Sequence, residues 1–573
     1  MDDNVLVALA AIVVLGVGCQ WVAAKLRLPS IVLLLIAGIL AGPVTGLIEP
    51  DELFGETLFP GVSLAVGLLL FDSGLGLRFD DLAGGVRRPV IRLITIGVLI
   101  TGCLTAAAAF LIFDLPFQFA LLLGAILVVS GPTVVGPILS LARPREPAGS
   151  VLNWEGTFVD PIGAALGILV LNVVVLDDAS PLHQGPDTIA VGILVGLVAA
   201  ALLVASLRWF LIPDDLEVGV AVLFAVAAFA TADTVQSEAG LMSCTVLGVA
   251  LANQPWVPVN GISFFHRSLG SLIIGSLFIV LAARIDLGDL VDIIPGAAVL
   301  LAVLVIVIRP AAAFAATAFS SLPIRDRAFI AWMAPRGIVA AATASLFTLQ
   351  IEDNGKHFDD LVPITFAVII GTAVVYGLSA YPVARLLGVS RGRPQGIVLV
   401  GRRPWLLSLA SELSSAGVDL GVVATGAYDL EAEIEGFEIY TGPLTEEAMA
   451  EVLDGKSHVL VASDNDEHNL LAARICIDVI GRSGVFVLPH SDLDVREARE
   501  PFSARASQEH LENLVSRGAT FTTLDDEGFV ARAEDGRMAA VLIGPDGSLR
   551  LDPGSKPLRK GEILVALDGF EPA

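Results

Sequence analysis

Charge is scarce in this sequence. Only 16% of its 573 residues are Asp, Glu, Lys or Arg, while 55% are hydrophobic. A mean hydropathy of +0.79 over that length excludes an ordinary soluble protein and calls for membrane-spanning runs. Basic residues are scarcer still, 34 against 60 acidic, for a formal net charge of −26. That imbalance argues against nucleic acid as a partner. Cysteine is nearly absent. Cys19, Cys103 and Cys244 fall inside apolar runs and Cys476 stands apart, so no zinc spacing and no disulfide framework is present. A basic stretch ahead of the first apolar run is missing too. The chain opens Met1-Asp2-Asp3-Asn4, and the first run is expected to be a retained span, not a cleaved leader.

What charge there is collects at one end. From Gln395 onward roughly 31 acidic and roughly 15 basic residues appear, and the apolar runs stop. The step at Ser390-Arg391-Gly392-Arg393-Pro394 divides a membrane domain, 1–390, from a soluble tail. Within 1–390 about thirteen spans fit a span-length window between Val5 and Leu387. Those carrying unusual residues are the third (Pro60–Leu77), fifth (Phe117–Leu141), sixth (Val151–Leu176), eighth (Leu216–Val235), eleventh (Val291–Phe319) and twelfth (Ala328–Gln350). Lys25, Arg27, Arg78, Arg87, Arg88, Arg143, Arg145 and Arg325 fall on alternate loops, and the intervening loops carry Glu49, Asp51, Asp177, Asp178 and Asp359. The positive-inside rule then puts the N-terminus outside and the tail in the cytoplasm of an inner membrane, an arrangement that needs an odd span count, as thirteen is.

Ionisable groups at mid-span are costly and mark function. The fifth span is interrupted by Ser130-Gly131-Pro132-Thr133, with a second Gly-Pro at Gly136-Pro137. Such a break frees backbone oxygens that must find partners in the protein or in a wet cavity. The sixth span carries Glu155 and Asp160, which project roughly 140° apart on a helix and so cannot serve one point. Asp160 lies about ten residues, or roughly 15 Å, from the inner end, near the midplane. Desolvation there favours its neutral form and a bound cation its ionised one. That is the chemistry of exchange. Arg336, in Pro335-Arg336-Gly337 of the twelfth span, sits at similar depth and needs a carboxylate partner, for which Glu155 is the best candidate. Asp72 and Asp233 are possible vestibule residues, and Arg309-Pro310 reads as an interface anchor or structural pair. The fifth and twelfth spans, seven apart, both carry a Pro-Gly break, the positional sign of inverted repeats.

These segments resemble the bacterial sodium/proton exchanger family, the NhaP-like cation/proton antiporters. The resemblance runs from about Val5 to Leu387 and rests on Phe71-Asp72-Ser73-Gly74-Leu75, Ser130-Gly131-Pro132-Thr133, Glu155 through Asp160, Leu247 through Asn253, and Pro335-Arg336-Gly337. It implies that Asp160 binds Na+ or K+ and a proton in turn. It further implies that oxygens of Ser130, Thr133 and Thr157 assist, that Glu155 pairs with Arg336, and that the protein is a homodimer in membrane lipid. The chain departs from the family where Thr-Asp-Pro becomes Ser130-Gly131-Pro132 and Asn-Asp becomes Val159-Asp160. With one central carboxylate left, electroneutral one-for-one exchange is expected.

In the tail, strands at Gly396–Gly401, Leu420–Ala424, Val459–Ala462 and Gly484–Leu488 alternate with helices at Leu406–Ser415 and His468–Ile480, a βαβ pattern that predicts a parallel, Rossmann-like sheet. Thr441-Gly442-Pro443 and Ser463 through Leu470 stand where RCK (TrkA-N) domains have their Gly-Asp and acidic segments. The resemblance gives an RCK N-like domain at 395–505 and an RCK C-like lobe at 519–573. Gly401 is the candidate cofactor glycine. It is followed by Arg403 and Leu406 where the dinucleotide fingerprint has glycines, and Thr425 replaces its acid. No cofactor is therefore assigned. The fold class expected is an all-α polytopic membrane domain followed by a cytoplasmic α/β domain and a small lobe. No nucleophile–base set points to an enzyme. Two other readings stand beside the antiporter: an RCK-gated cation channel or uptake protein, though no carbonyl filter is evident, and a transport-dead membrane sensor.

Overall fold

The computed structural model describes all residues except Met1, Arg27, 177–183, Asp286, 392–394, 425–437, Pro443, 489–497, 503–505, Asp526, 532–534, 555–556 and 572–573. The readings made at Arg27, Asp177, Asp178, Thr425, Pro443 and the 392–394 part of the boundary thus lie outside the described residues. The chain forms two compact units, Met1–Ser390 and Arg391–Ala573.

The first unit is helical. Its helices are α1 (Val5–Leu26), α2 (Ser30–Val44), α3 (Pro50–Leu75), α4 (Arg87–Phe113), α5 (Phe117–Ile126), α6 (Pro132–Ala142), α7 (Ala148–Val175) and α8 (Gly185–Arg208). There follow α9 (Asp214–Val235), α10 (Ala239–Ala252), α11 (Gly261–Ala283), α12 (Val291–Ala316), α13 (Ile324–Trp332), α14 (Ile338–Glu352) and α15 (Leu361–Leu386). Among the described residues nine are long and apolar enough to cross a membrane, and five more are shorter apolar helices. The protein is therefore a multi-pass membrane protein. Its apolar side chains divide in two: one contiguous buried core runs from Ile12 to Val389, while Leu111, Val14 and Leu386 stay exposed on the outer faces.

The fifth and twelfth spans, expected to be interrupted, are each two half-helices. In the fifth, α5 stops at Ile126 and α6 starts at Pro132, with Gly131 extended between them. Proline is favoured there because the first residue of a helix has no intrahelical use for its N–H. In the twelfth, α13 stops at Trp332 and α14 starts at Ile338, with Met333 and Gly337 extended. The two extended stretches cross: a Cβ on Gly337 would lie 2.9 Å from the Gly131 nitrogen. Only glycine permits that approach. Helix α7 packs against the crossing, with Gly163 under Val129.

The second unit carries two sheets. The first is parallel, in order β3-β2-β1-β4-β5, from β1 (Gly396–Val400), β2 (Leu420–Val423), β3 (Glu438–Tyr440), β4 (Lys456–Val461) and β5 (Val485–Val487). Its helices are α16 (Pro404–Ser415), α17 (Glu446–Val452) and α18 (Asp466–Ile480). Helix α18 starts two residues before its expected position because the Asn465 side chain caps it, accepting from the Glu467 and His468 N–H groups. Helix α19 (Gln508–Ser516) leads into an antiparallel sheet in order β6-β9-β7-β8, built from β6 (Thr520–Leu524), β7 (Arg537–Ile543), β8 (Leu549–Arg550) and β9 (Ile563–Asp568). The two sheets share a core in which Trp405, Leu409 and Leu511 pack with Phe521, Met538 and Leu567.

Candidate ion site

Asp160 lies in the middle of α7 and is 0% exposed. Neither of its carboxylate oxygens has a hydrogen-bond partner among the described residues. An unsatisfied buried carboxylate is among the costliest arrangements a fold can hold. Its neighbour is the break between α5 and α6. A Cβ on Gly131 would fall 2.7 Å from Asp160 Oδ2 and 3.2 Å from Thr133 Oγ1. The Thr133 hydroxyl is also buried and without a partner among the described residues. The structure thus brings together two of the four residues expected at the centre, a carboxylate and a hydroxyl, with the glycine backbone of the break against them.

The other two are less directly engaged. Ser130 is buried, and its carbonyl faces α7, 3.4 Å from where a Cβ on Gly156 would be. Thr157 is buried, but its hydroxyl donates to the Asn153 carbonyl of its own helix at 2.9 Å. Its donor is spent, and only acceptor capacity remains.

The expected ion pair is corrected. Glu155 is bound by Arg309, not by Arg336: Arg309 Nη1 donates to Oε1 at 2.5 Å and Nη2 to Oε2 at 2.8 Å, with both side chains buried. This is the bidentate fork that guanidinium and carboxylate planes favour. Arg309 Nε donates in addition to the Ile330 carbonyl of α13, so the pair joins α7, α12 and α13. Arg336 serves the broken span instead. Its Nη1 donates to the Val128 carbonyl at 2.9 Å, and its backbone N–H donates to Thr372 Oγ1 at 3.2 Å. Val128 follows the end of α5, where carbonyls lack intrahelical donors and the helix dipole is negative. A guanidinium fits that end on both counts. Similar depth and the family resemblance match Arg336 to Glu155, and neither fixes which guanidinium reaches the carboxylate. Arg309, read from the sequence as an interface anchor or structural pair, is the residue that makes the pair.

The vestibule candidates lie on other contacts. The half-buried Asp72 of α3 faces α11, where a Cβ on Gly270 would be 3.1 Å from its Oδ2. Asp233, at the end of α9, has the backbone N–H groups of Glu238 and Gly240 beside its carboxylate at the start of α10. No group of three or more His, Cys, Asp or Glu able to hold a metal occurs among the described residues.

Gly401 follows β1 with φ +132°, and a Cβ there would strike the Ala462 carbonyl oxygen at 2.3 Å. The glycine is required by the closeness of its own neighbouring strand. The next helix begins with Pro404, and Arg403 pairs with Asp464 at 2.6 Å. A turn that ends in proline and faces an acid does not fit a pyrophosphate.

Residues 8–386 match the sodium/hydrogen exchanger, transmembrane, family. The K(+)/H(+) antiporter NhaP2 of Shewanella sp. (strain ANA-3) is 28% identical over 380 residues, 64% of this chain and 64% of that relative. The chain therefore spans a little under two thirds of that relative's length. The K(+)/H(+) antiporter NhaP of Alkalimonas amylolytica is 26% identical over 552 residues, 89% of this chain and 94% of its own. The solved sodium proton antiporter MjNhaP1 of Methanocaldococcus jannaschii has the same membrane fold, with a TM-score of 0.59 at 24% identity, covering 67% of this chain and all of that one. These relatives are named as antiporters, not as enzymes. With the family match covering most of the chain, this protein belongs to the sodium/hydrogen exchanger family.

Proposed function

We propose that the protein exchanges a monovalent cation, Na+ or K+, for protons across the inner membrane, with Asp160 as the alternating binding group. The observation that carries the reading is the Asp160 carboxylate, wholly buried, unpartnered among the described residues and set against a break in a span. A buried carboxylate needs either a proton or a cation to offset its desolvation. A group that takes either, but not both, couples their movements. Thr133 and the carbonyls of the break would complete the cation's oxygen shell, with Ser130 and Thr157 as further acceptors. Glu155 and Arg309 neutralise each other beside it. One exchangeable carboxylate supports one-for-one, electroneutral exchange. The relatives are named for potassium and for sodium, so the cation is given as a class.

The same reading takes the nine long helices, α2, α10 and the two broken spans as thirteen crossings, with the N-terminus outside and the tail in the cytoplasm. It takes the protein as a homodimer. The parallel sheet order supports a Rossmann-like, RCK-type tail that regulates transport.

The deciding measurement is cation-dependent proton movement in everted vesicles or proteoliposomes, with sodium or potassium added separately, for the wild type and Asp160→Asn. Exchange by the wild type and none by the variant is expected. Wild-type flux in the variant would remove Asp160 from the mechanism. No flux in the wild type with either ion would favour a channel or sensor.

A further inference from the structure

In an open parallel sheet the ligand crevice lies outside the carboxyl ends of the strands, where the strand order reverses. In the tail that point falls between β1 and β4. A dinucleotide would need small residues after β1, free N–H groups on the following helix, and room above both strand ends.

The chain fills that place itself. Arg402 and Arg403 follow Gly401, and α16 opens with Pro404, which has no N–H to offer. Arg403 Nε donates to Asp464 Oδ1 at 2.6 Å, just past β4, and its Nη1 reaches Glu512 Oε2 on α19 at 3.4 Å. One guanidinium therefore ties the two lips of the crevice to a third element. Beneath it Gln508, the first residue of α19, is 0% exposed. Its Nε2 donates to the Ser463 carbonyl at 3.1 Å and to the Leu488 carbonyl at 2.5 Å. Those carbonyls stand at the carboxyl ends of β4 and β5. The two carboxylates, Asp464 and Glu512, also take up the Arg403 guanidinium that a phosphate would otherwise meet.

We infer that α19 is the built-in occupant of this crevice, and that the tail takes no dinucleotide there. Gln508 and Glu512 hold from within the position a cofactor would take, and whatever signal the tail receives enters elsewhere. The inference is independent of which ion the membrane unit carries.

The test uses the purified full-length chain in detergent. Equilibrium dialysis with labelled NAD+, NADH and ATP at millimolar concentration is expected to give no saturable binding. Saturable binding near one per chain, lost in Arg403→Gln, would overturn the inference. Hydrogen exchange supplies the second arm. Peptides covering α19 are expected to exchange at least severalfold faster in Arg403→Gln, and faster again in Gln508→Ala, while peptides of β7 and β9 keep their protection. Wild-type protection of α19 in both variants would also overturn it, because α19 would then not be held by these contacts. Should Gln508→Ala fail to fold, Arg403→Gln carries the test alone, since it removes only the latch on the surface side.

Discussion

The protein has two places where buried polar groups gather, and they are treated in opposite ways. Around Asp160 the fold leaves a carboxylate and the Thr133 hydroxyl without partners among the described residues. At the β1–β4 crevice of the tail the buried Ser463, Asn469 and Gln508 bond one another and the strand ends, and of their side-chain atoms Gln508 Oε1 is left without a partner among the described residues. Leaving a buried polar group unpaired costs stability. A fold concentrates that cost where an outside species will form the missing bond, and reduces it to a single amide oxygen where none is due. By that standard the membrane centre is a working site and the crevice a scaffold.

The comparison breaks most readily at Asp160. Asp160→Asn should abolish cation-dependent proton flux, yet leave the detergent melting temperature unchanged or raised, because it removes a charge that no partner holds. A steep loss of stability together with the loss of flux would mean that the carboxylate is structural. The opposite pattern is expected one and a half turns earlier on the same helix. Glu155→Gln or Arg309→Met alone strands a buried charge, and should cost about 3–5 kcal/mol. The double variant Glu155→Leu with Arg309→Met should recover much of that loss, read as melting temperature before any transport assay.

A smaller effect is expected at Gly131. The Cβ of Gly131→Ala would press on the Asp160 carboxylate, an overpacking of about 1–3 kcal/mol. The half-saturating cation concentration should rise roughly tenfold, the equivalent of ~1.4 kcal/mol. Normal folding with unchanged ion affinity would mean that the carboxylate has room to move away. The smallest effect belongs to the scaffold side. Burial, with the Arg499 guanidinium adding to it, holds His458 below the ordinary histidine range. The folded tail therefore binds its proton less readily than the unfolded chain does. Stability is retained above the ordinary histidine pKa of ~6.5 and declines as pH falls below it. Melting curves between about pH 7.5 and about pH 5 should fall further for the wild type than for His458→Asn.

Much of this was legible in the residues. The spans follow from apolar length, and both breaks from Gly and Pro at mid-span. Asp160 stood out because a charge at that depth is costly wherever it points. The partner of Glu155 was not legible, for a physical reason. A π-helical turn, Leu304–Ile308, immediately precedes Arg309. It carries extra residue per turn, so a straight count of 3.6 misplaces the face that Arg309 presents. Thr157 was readable as an oxygen but not as one already bonded to its own backbone. In the tail the degenerate glycine pattern after Gly401 was visible, while the reason Gly401 itself is glycine, the Ala462 carbonyl beneath it, is a contact between strands distant in sequence. The capture of Gln508 by β4 and β5 likewise joins segments far apart in the chain.

The glycine crossing also bears on how this protein can change by mutation. At position 131 the obstacle to a side chain is the end of another side chain, Asp160, so a second substitution at 133 or nearby can compensate. At position 337 the obstacle is the main chain itself, the nitrogen and Cα of Gly131, at 2.9 and 3.0 Å. No replacement of a neighbouring side chain removes a backbone. Suppressor screens should therefore yield revertants of Gly131→Ala at second sites, and only true reversions of Gly337→Ala. One of these two adjoining glycines is open to evolutionary repair, and the other is fixed.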